Sequence, residues 1–326
     1  GYLGRALLEK KKNMIKNEMP LAEKPGVALV YVNGAIVPRA ESVRSGALTS
    51  AISGPQFAAA NKISEAIFDA SKRDDIKAII VRVNSPGGSP SASESIRRAI
   101  VRAKERGKKV IVSMGATAAS GGYWVSPNAD RIIASPASLT GSIGVVGGKF
   151  VLKDMWEKLN VNWAQIAFGK SAGMWSPNEK FDQAELARFE AIMDNIYTEF
   201  VSRVAEGRGM EYERAEKIAR GRAWTGRQAL EIGLVDALGG LDVALDEAVK
   251  LIGVESRDDI RLVELPRKKT LQERLIELLR QQVTLNQFLS DVSASVSYGG
   301  AGQLAIELDR LANPSRYAVY SDLEIR

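Results

Sequence analysis

The chain of 326 residues contains no histidine and no cysteine. The first absence removes the commonest general base and the commonest metal ligand, so a Ser-His-Asp triad cannot form within this chain. The second removes thiolate chemistry and disulfides, and with them any reading of the redox compartment. No run of about 18 apolar residues marks a membrane span. Glu94, Asp130, Asp154 and Asp236 show no spacing that would converge several oxygens on a hard cation, so no metal site is expected. The stretch from Gly141 to Gly148 lacks the Gly-Lys-Ser/Thr ending of a phosphate loop, so no nucleotide and no cofactor is expected. An initiator methionine is also missing: the first residue is Gly1, which fits a piece of something longer with a leader or anchor upstream.

What is present is a chain with 45% apolar and 26% charged residues, enough for one large domain or two smaller ones. The net charge of +6 is spread among mixed-sign runs such as Lys104-Glu105-Arg106, so nucleic acid is not an expected partner, although the sign suits an anionic membrane surface. Residues 1–19 read as a charged amphipathic helix that Pro20 and Pro25 end, which makes 1–25 a linker. Val27 to Val32, Ile76 to Val83 and Lys109 to Met114 are β-branched apolar runs of the kind buried on both faces of a sheet. Helices are expected between them over Gln56–Lys72 and Ser91–Arg106, which implies parallel pairing with crossover helices. Beyond a helix at Gly121–Pro127 come a short strand at Arg131–Ser135 and then the segment Leu139–Val145. Helices then follow near 151–159, 183–207, 212–218, 226–232 and 241–251. From about residue 254 the chain reads as an extension, with a helix at Leu271–Gln282 and a Ser/Gly-rich stretch at Ser290–Gly302, suited to oligomerisation or docking.

Two turns carry chemistry. Asn84-Ser85-Pro86-Gly87-Gly88 follows a buried strand and precedes a helix, so its glycine N–H groups can face outward from the carboxyl end of the sheet as an oxyanion hole. Taken alone it is an ordinary strand-to-helix turn. Ser120, in Ala118-Ala119-Ser120-Gly121-Gly122-Tyr123, follows the next strand, with its hydroxyl exposed at a sharp turn and Gly121 able to donate a second N–H. The logic is that of a nucleophile elbow, without the usual Gly-x-Ser-x-Gly sequence. In isolation such a serine is a helix cap. The two turns together point to a serine nucleophile.

Ser85-Pro86-Gly87-Gly88, Ala119-Ser120-Gly121-Gly122-Tyr123, Leu139-Thr140-Gly141-Ser142-Ile143-Gly144-Val145, Gly221-Arg222-Ala223-Trp224-Thr225-Gly226 and Gly233-Leu234-Val235-Asp236 resemble the S49 peptidases of the signal peptide peptidase A type, from about Val27 to Gly253. The resemblance implies an α/β fold of the ClpP/crotonase type over 26–253, with terminal helical extensions. It further implies a Ser-Lys dyad with Ser120 as nucleophile, Gly87 or Gly88 and Gly121 as oxyanion donors, and Ser142 supporting the lysine. Its substrates would be cleaved signal peptides and other hydrophobic membrane-derived peptides. Its setting would be the outer side of a bacterial inner membrane, held there by parts outside this chain, in a homo-oligomer. The lysine departs from the pattern: the family position falls on Ala172, and Lys170 is two residues away. Three sources stay open, namely Lys170 through a shifted loop, an amino-terminal half of a long-form member, or an engineered lysine-to-alanine change. Rival readings are a crotonase-like acyl-CoA enzyme, which would not need Ser120, and a catalytically inactive assembly module.

Overall fold

The computed structural model describes residues 24–39 and 57–266. In chain order the elements are β1 (Gly26–Asn33), β2 (Ala35–Val37), β3 (Phe57–Ala59), α1 (Ala60–Lys72), β4 (Ile76–Ser85), α2 (Pro90–Glu105), β5 (Lys109–Ala119), α3 (Gly121–Trp124), β6 (Arg131–Ala134), β7 (Leu139–Gly141), α4 (Lys153–Lys158), α5 (Gln183–Arg208), α6 (Tyr212–Ile218), β8 (Ala223–Thr225), α7 (Gly226–Glu231), β9 (Ala237–Leu238), α8 (Leu241–Ile252) and β10 (Arg261–Leu265).

The fold is α/β, with a parallel sheet core and crossover helices. Strands β10, β1, β4, β5, β6 and β9 lie side by side in that order, every pair parallel. Their apolar runs are continuous because both faces are covered. On one face Ile63, Ile67, Ile96 and Ile100 of α1 and α2 pack over Ile79, Val81, Val110 and Val112. On the other, Ala244 and Ala248 of α8 cover Val27, Leu29, Ile80 and Ile111. Alternate residues of one strand therefore serve two cores, as the period of two requires.

Strand β5 has two partners: Ile111–Ser113 pair with β6, and Thr117–Ala119 pair with β7, which carries β8 antiparallel on its far side. Between these halves the β4–β5 register jumps from Val83↔Met114 to Ser85↔Ala118, a bulge that turns the end of β5 away from the main sheet. Side chains satisfy the bulged backbone: Asn84 Oδ1 accepts from Thr117 N–H at 3.2 Å, and Ser138 Oγ donates to the Gly115 carbonyl at 2.6 Å.

Several expectations shift. The helix expected from Gln56 begins at Ala60, because Phe57–Ala59 pairs with β2 as a short parallel ribbon. The strand expected to stop at Met114 runs on to Ala119, since the bulge carries it past Gly115. The helix after Ser120 is one turn, ending at Trp124. The sheet also extends past Gly253: Arg261–Leu265 is its edge strand on β1, a pairing that local sequence could not reveal because its partner lies far upstream. The helices expected at 1–19 and 271–282 and the Ser/Gly-rich 290–302 lie outside the described residues.

The β10 edge is held by charge as well as by the ladder. Asp75 accepts from Arg73 at 2.7 Å and from Arg261, and the hydrogen bond from Arg73 is the largest of the effects that hold its carboxyl well below the ordinary range. A carboxyl with a depressed native pKa adds stability above its unfolded value of 3.8, and that stability is lost as the pH falls below it. Asp75→Asn is therefore expected to lower stability at neutral pH and to flatten its fall below pH 3.8, read from urea midpoints across a pH series. Ile79→Ala, at a fully buried site between α1 and the sheet, is expected to cost about 2–5 kcal/mol in the same assay with the denaturant slope unchanged.

Candidate active site

Both glycine-bearing turns leave the sheet at its carboxyl edge and meet there. Ser120, at the end of β5, has φ 52° and ψ −120°, a conformation that costs a non-glycine residue about 1–3 kcal/mol and persists only where its surroundings fix it. They do so by hydrogen bonds: Ser120 N–H donates to the Gly141 carbonyl, while the N–H groups of Tyr123 and Trp124 donate to the Ser120 carbonyl, each at 2.9 Å. β7 and α3 thus hold the turn from two sides. Ser142 is also left-handed, at φ 47°, fixed by its N–H on the Arg222 carbonyl at 2.8 Å.

The Pro86-Gly87-Gly88 turn lies directly against Ser120. A Cβ on Gly87 would sit 2.7 Å from the Gly121 nitrogen, and a Cβ on Gly121 would sit 3.0 Å from the Gly88 nitrogen and 2.5 Å from Ser93 Oγ. Gly88, at φ 151°, has its Cβ direction filled by the Ile36 backbone at 2.1 Å. Only glycine fits at these positions. The Gly87 N–H is used by Ser85 Oγ at 3.1 Å, whereas among the described residues the N–H groups of Gly88 and Gly121 meet no protein acceptor. Two free amide donors therefore flank one serine hydroxyl, the arrangement that can receive the oxygen of a carbonyl under attack.

The hydroxyl opens into a cavity of about 430 Å³ lined by Ser120, Gly88, Gly121, Ser142 and Gly144, with Pro86, Pro90, Trp124, Val145, Val146, Ile196 and Phe200 as its apolar wall. Of the residues expected from sequence, Ser120, Gly88, Gly121 and Ser142 come together, and Gly87 forms the backbone behind them. Lys170 does not join them: it is exposed in the 159–170 segment and lines no part of the cavity, and the exposed Ala172 does not line it either. No described lysine lines it. Sequence reading missed the wall. Trp124 was within reach of it, four residues after Ser120, but Ile196 and Phe200 come from α5, distant in the chain. Two of the carboxylates expected to hold no metal have protein partners, Asp130 on Lys104 and the Val110 N–H, and Asp236 on Arg208 and the Ile132 N–H. Thr225 caps α7 in a reciprocal capping box with Gln228.

The chain resembles known proteins over this same region. The model of peptidase family S49 matches residues 102–255, which includes the end of β5, Ser120 and Ser142. Protease 4 of Salmonella typhi is 36% identical over 69% of this chain and 34% of its own length. The chloroplastic serine protease SPPA of Arabidopsis thaliana is 37% identical over 70% of this chain and 34% of its own length. The chain thus spans about a third of these longer relatives. A shorter protein of Synechocystis sp., provisionally named as a protease, is 35% identical and is matched over 71% of its length. With likeness covering most of a relative, and with the family's model lying over the strand and turn that carry Ser120, the chain belongs to peptidase family S49.

Proposed function

We propose that the chain carries the nucleophile and oxyanion hole of a serine peptidase whose general base is a lysine supplied from outside this segment. The observation that carries the reading is the strained Ser120 turn held beside two unpaired amide donors, Gly88 and Gly121, at the mouth of an apolar cavity. Ser120 Oγ attacks the scissile carbonyl and passes its proton to the neutral lysine amine. The carbonyl oxygen gains charge between the two amides, and collapse of the tetrahedral species expels the amine, which takes the proton from the lysine. Water then releases the acyl group by the same steps. Ser142, which lines the cavity, accepts a hydrogen bond from that lysine amine in this reading.

That no lysine among the described residues lines the cavity, with Lys170 in an exposed segment, favours an external base over a shifted loop. Exposed apolar side chains support a partner: Val146, which lines the cavity, and Phe150, Ile166 and Phe168 are between 87% and 96% exposed. That partner is another copy of the chain, or the amino-terminal half of a longer form, which would bring the base. The apolar cavity suits hydrophobic peptides such as cleaved signal peptides. The resemblance to signal peptide peptidases supports a setting at the outer face of a bacterial inner membrane.

In the intact protein Ser120→Ala is expected to reduce hydrolysis of apolar fluorogenic peptides by at least about 10³-fold with the melting temperature nearly unchanged. A fluorophosphonate should label the parent at Ser120, which an acyl-CoA enzyme of related fold would not require. Cleavage by Ser120→Ala at the parent rate would exclude the nucleophile. Lys170→Ala should leave turnover within about twofold, as for a surface position remote from the chemistry. A loss as deep as that of Ser120→Ala would return the base to this chain.

A further inference from the structure

Glu94 is an acidic residue on α2 that the peptidase chemistry does not use, yet it is held with unusual completeness. Its Oε2 accepts from Arg97 Nε at 2.7 Å and from the Trp124 indole Nε1 at 2.9 Å, and its Oε1 accepts from Arg97 Nη2 at 2.7 Å. Arg97 is 6% exposed and is itself fixed by donating to Asn128 Oδ1 at 2.8 Å. Burial pushes the Glu94 carboxyl up, but the hydrogen bonds from Arg97 and Trp124 outweigh it and leave the group below its ordinary value, hence ionised at neutral pH.

The indole is the only part of this network that reaches the cavity. Trp124 and Phe200 both line it, stacked with ring centroids 4.4 Å apart, and the Trp124 backbone N–H donates to the Ser120 carbonyl at 2.9 Å. Stacking fixes the plane of an indole but lets it slide and turn within that plane, whereas a hydrogen bond at Nε1 fixes its rotation. Glu94 supplies that bond from outside the cavity, with a rigid bidentate arginine behind it.

We infer that Glu94 is a positioning residue that sets the side-chain preference of the cavity by locking Trp124 in place. The inference rests on the reading of this cavity as the seat of a substrate side chain. A fixed aromatic wall rewards a bulky apolar side chain that fills the space against it, while a small one gains little from the wall's position. Glu94→Ala frees the indole to swing into the space, and a bulky side chain then loses its advantage.

The test uses the full chain carrying Ser120→Ala, which binds peptide without turning it over. Affinities are measured for two peptides that differ at one residue, Leu or Ala. The Leu peptide is expected to bind at least about tenfold more tightly, the scale of discrimination an apolar pocket achieves. Adding Glu94→Ala should reduce that ratio to about threefold or less through the Leu peptide, with the Ala peptide little changed, and should shift the Trp124 indole resonance, assigned through Trp124→Phe. Glu94→Gln, which keeps an acceptor for the indole, should retain an intermediate ratio. Equal weakening of both peptides by Glu94→Ala would mark a merely structural role and overturn the inference, as would an unchanged ratio. If neither peptide binds the Ser120→Ala chain, the cavity is not a peptide site and both readings fall. If Ser120→Ala still cleaves, the nucleophile is lost, while the effect of Glu94 on the Leu-to-Ala cleavage ratio still decides this inference.

Discussion

Backbone lies against backbone at the centre of this molecule. The turn after β4 lies so close to the turn after β5 on one side and to β2 on the other that a methyl group on Gly87 would overlap the Gly121 nitrogen and one on Gly88 would overlap the Ile36 backbone. Two consequences follow from that one contact. Among the described residues the N–H groups of Gly88 and Gly121 are left without protein partners, although a folded chain normally satisfies such groups, and the serine between them is held in a conformation that it would not adopt in a free chain. Strain and unpaired donors at one spot are what an oxyanion site requires, because the donors must be in place before the charge appears.

The rest of the fold keeps that contact in register. The continuous apolar strands β1, β4 and β5 fix the level at which both turns emerge, and the bulge in β5 bends its last residues toward β7, whose Gly141 carbonyl takes the Ser120 N–H. The first turn of α2 brings Ser93 against Gly121, and the next brings Glu94 and Arg97 to Trp124. The same helix that covers the sheet therefore also supports the cavity wall. Its ion pair is largely withdrawn from solvent, where a carboxylate without its arginine would be costly, so the network is complete or unfavourable with little between.

The cavity wall has its origin in long-range geometry. Phe200 and Ile196 reach the cavity because α5 crosses the mouth of the site, and the segment between β7 and α5 projects apolar side chains outward from the protein surface. Val146 of the cavity wall belongs to that segment, which also carries the exposed Phe150, Ile166 and Phe168, the kind of surface that a partner covers.

The sequence by itself determined a good deal. Apolar runs without alternation announced buried parallel strands, and glycines placed just beyond two of them announced where the chain would turn and why a serine there could be reactive. The absence of histidine excluded the familiar triad, and the position expected to hold a lysine by resemblance falls on Ala172. Those features are local, set by periodicity and by the φ that glycine alone tolerates. What only the tertiary structure decided depends on contacts between residues remote in the chain: that Gly88 and not Gly87 keeps a free N–H, because Ser85 Oγ takes the other; that Arg261–Leu265 closes the edge of the sheet; and that Glu94 reaches across to Trp124. A hydrogen-bond acceptor is chosen by where the chain passes in space, and no window of sequence records that.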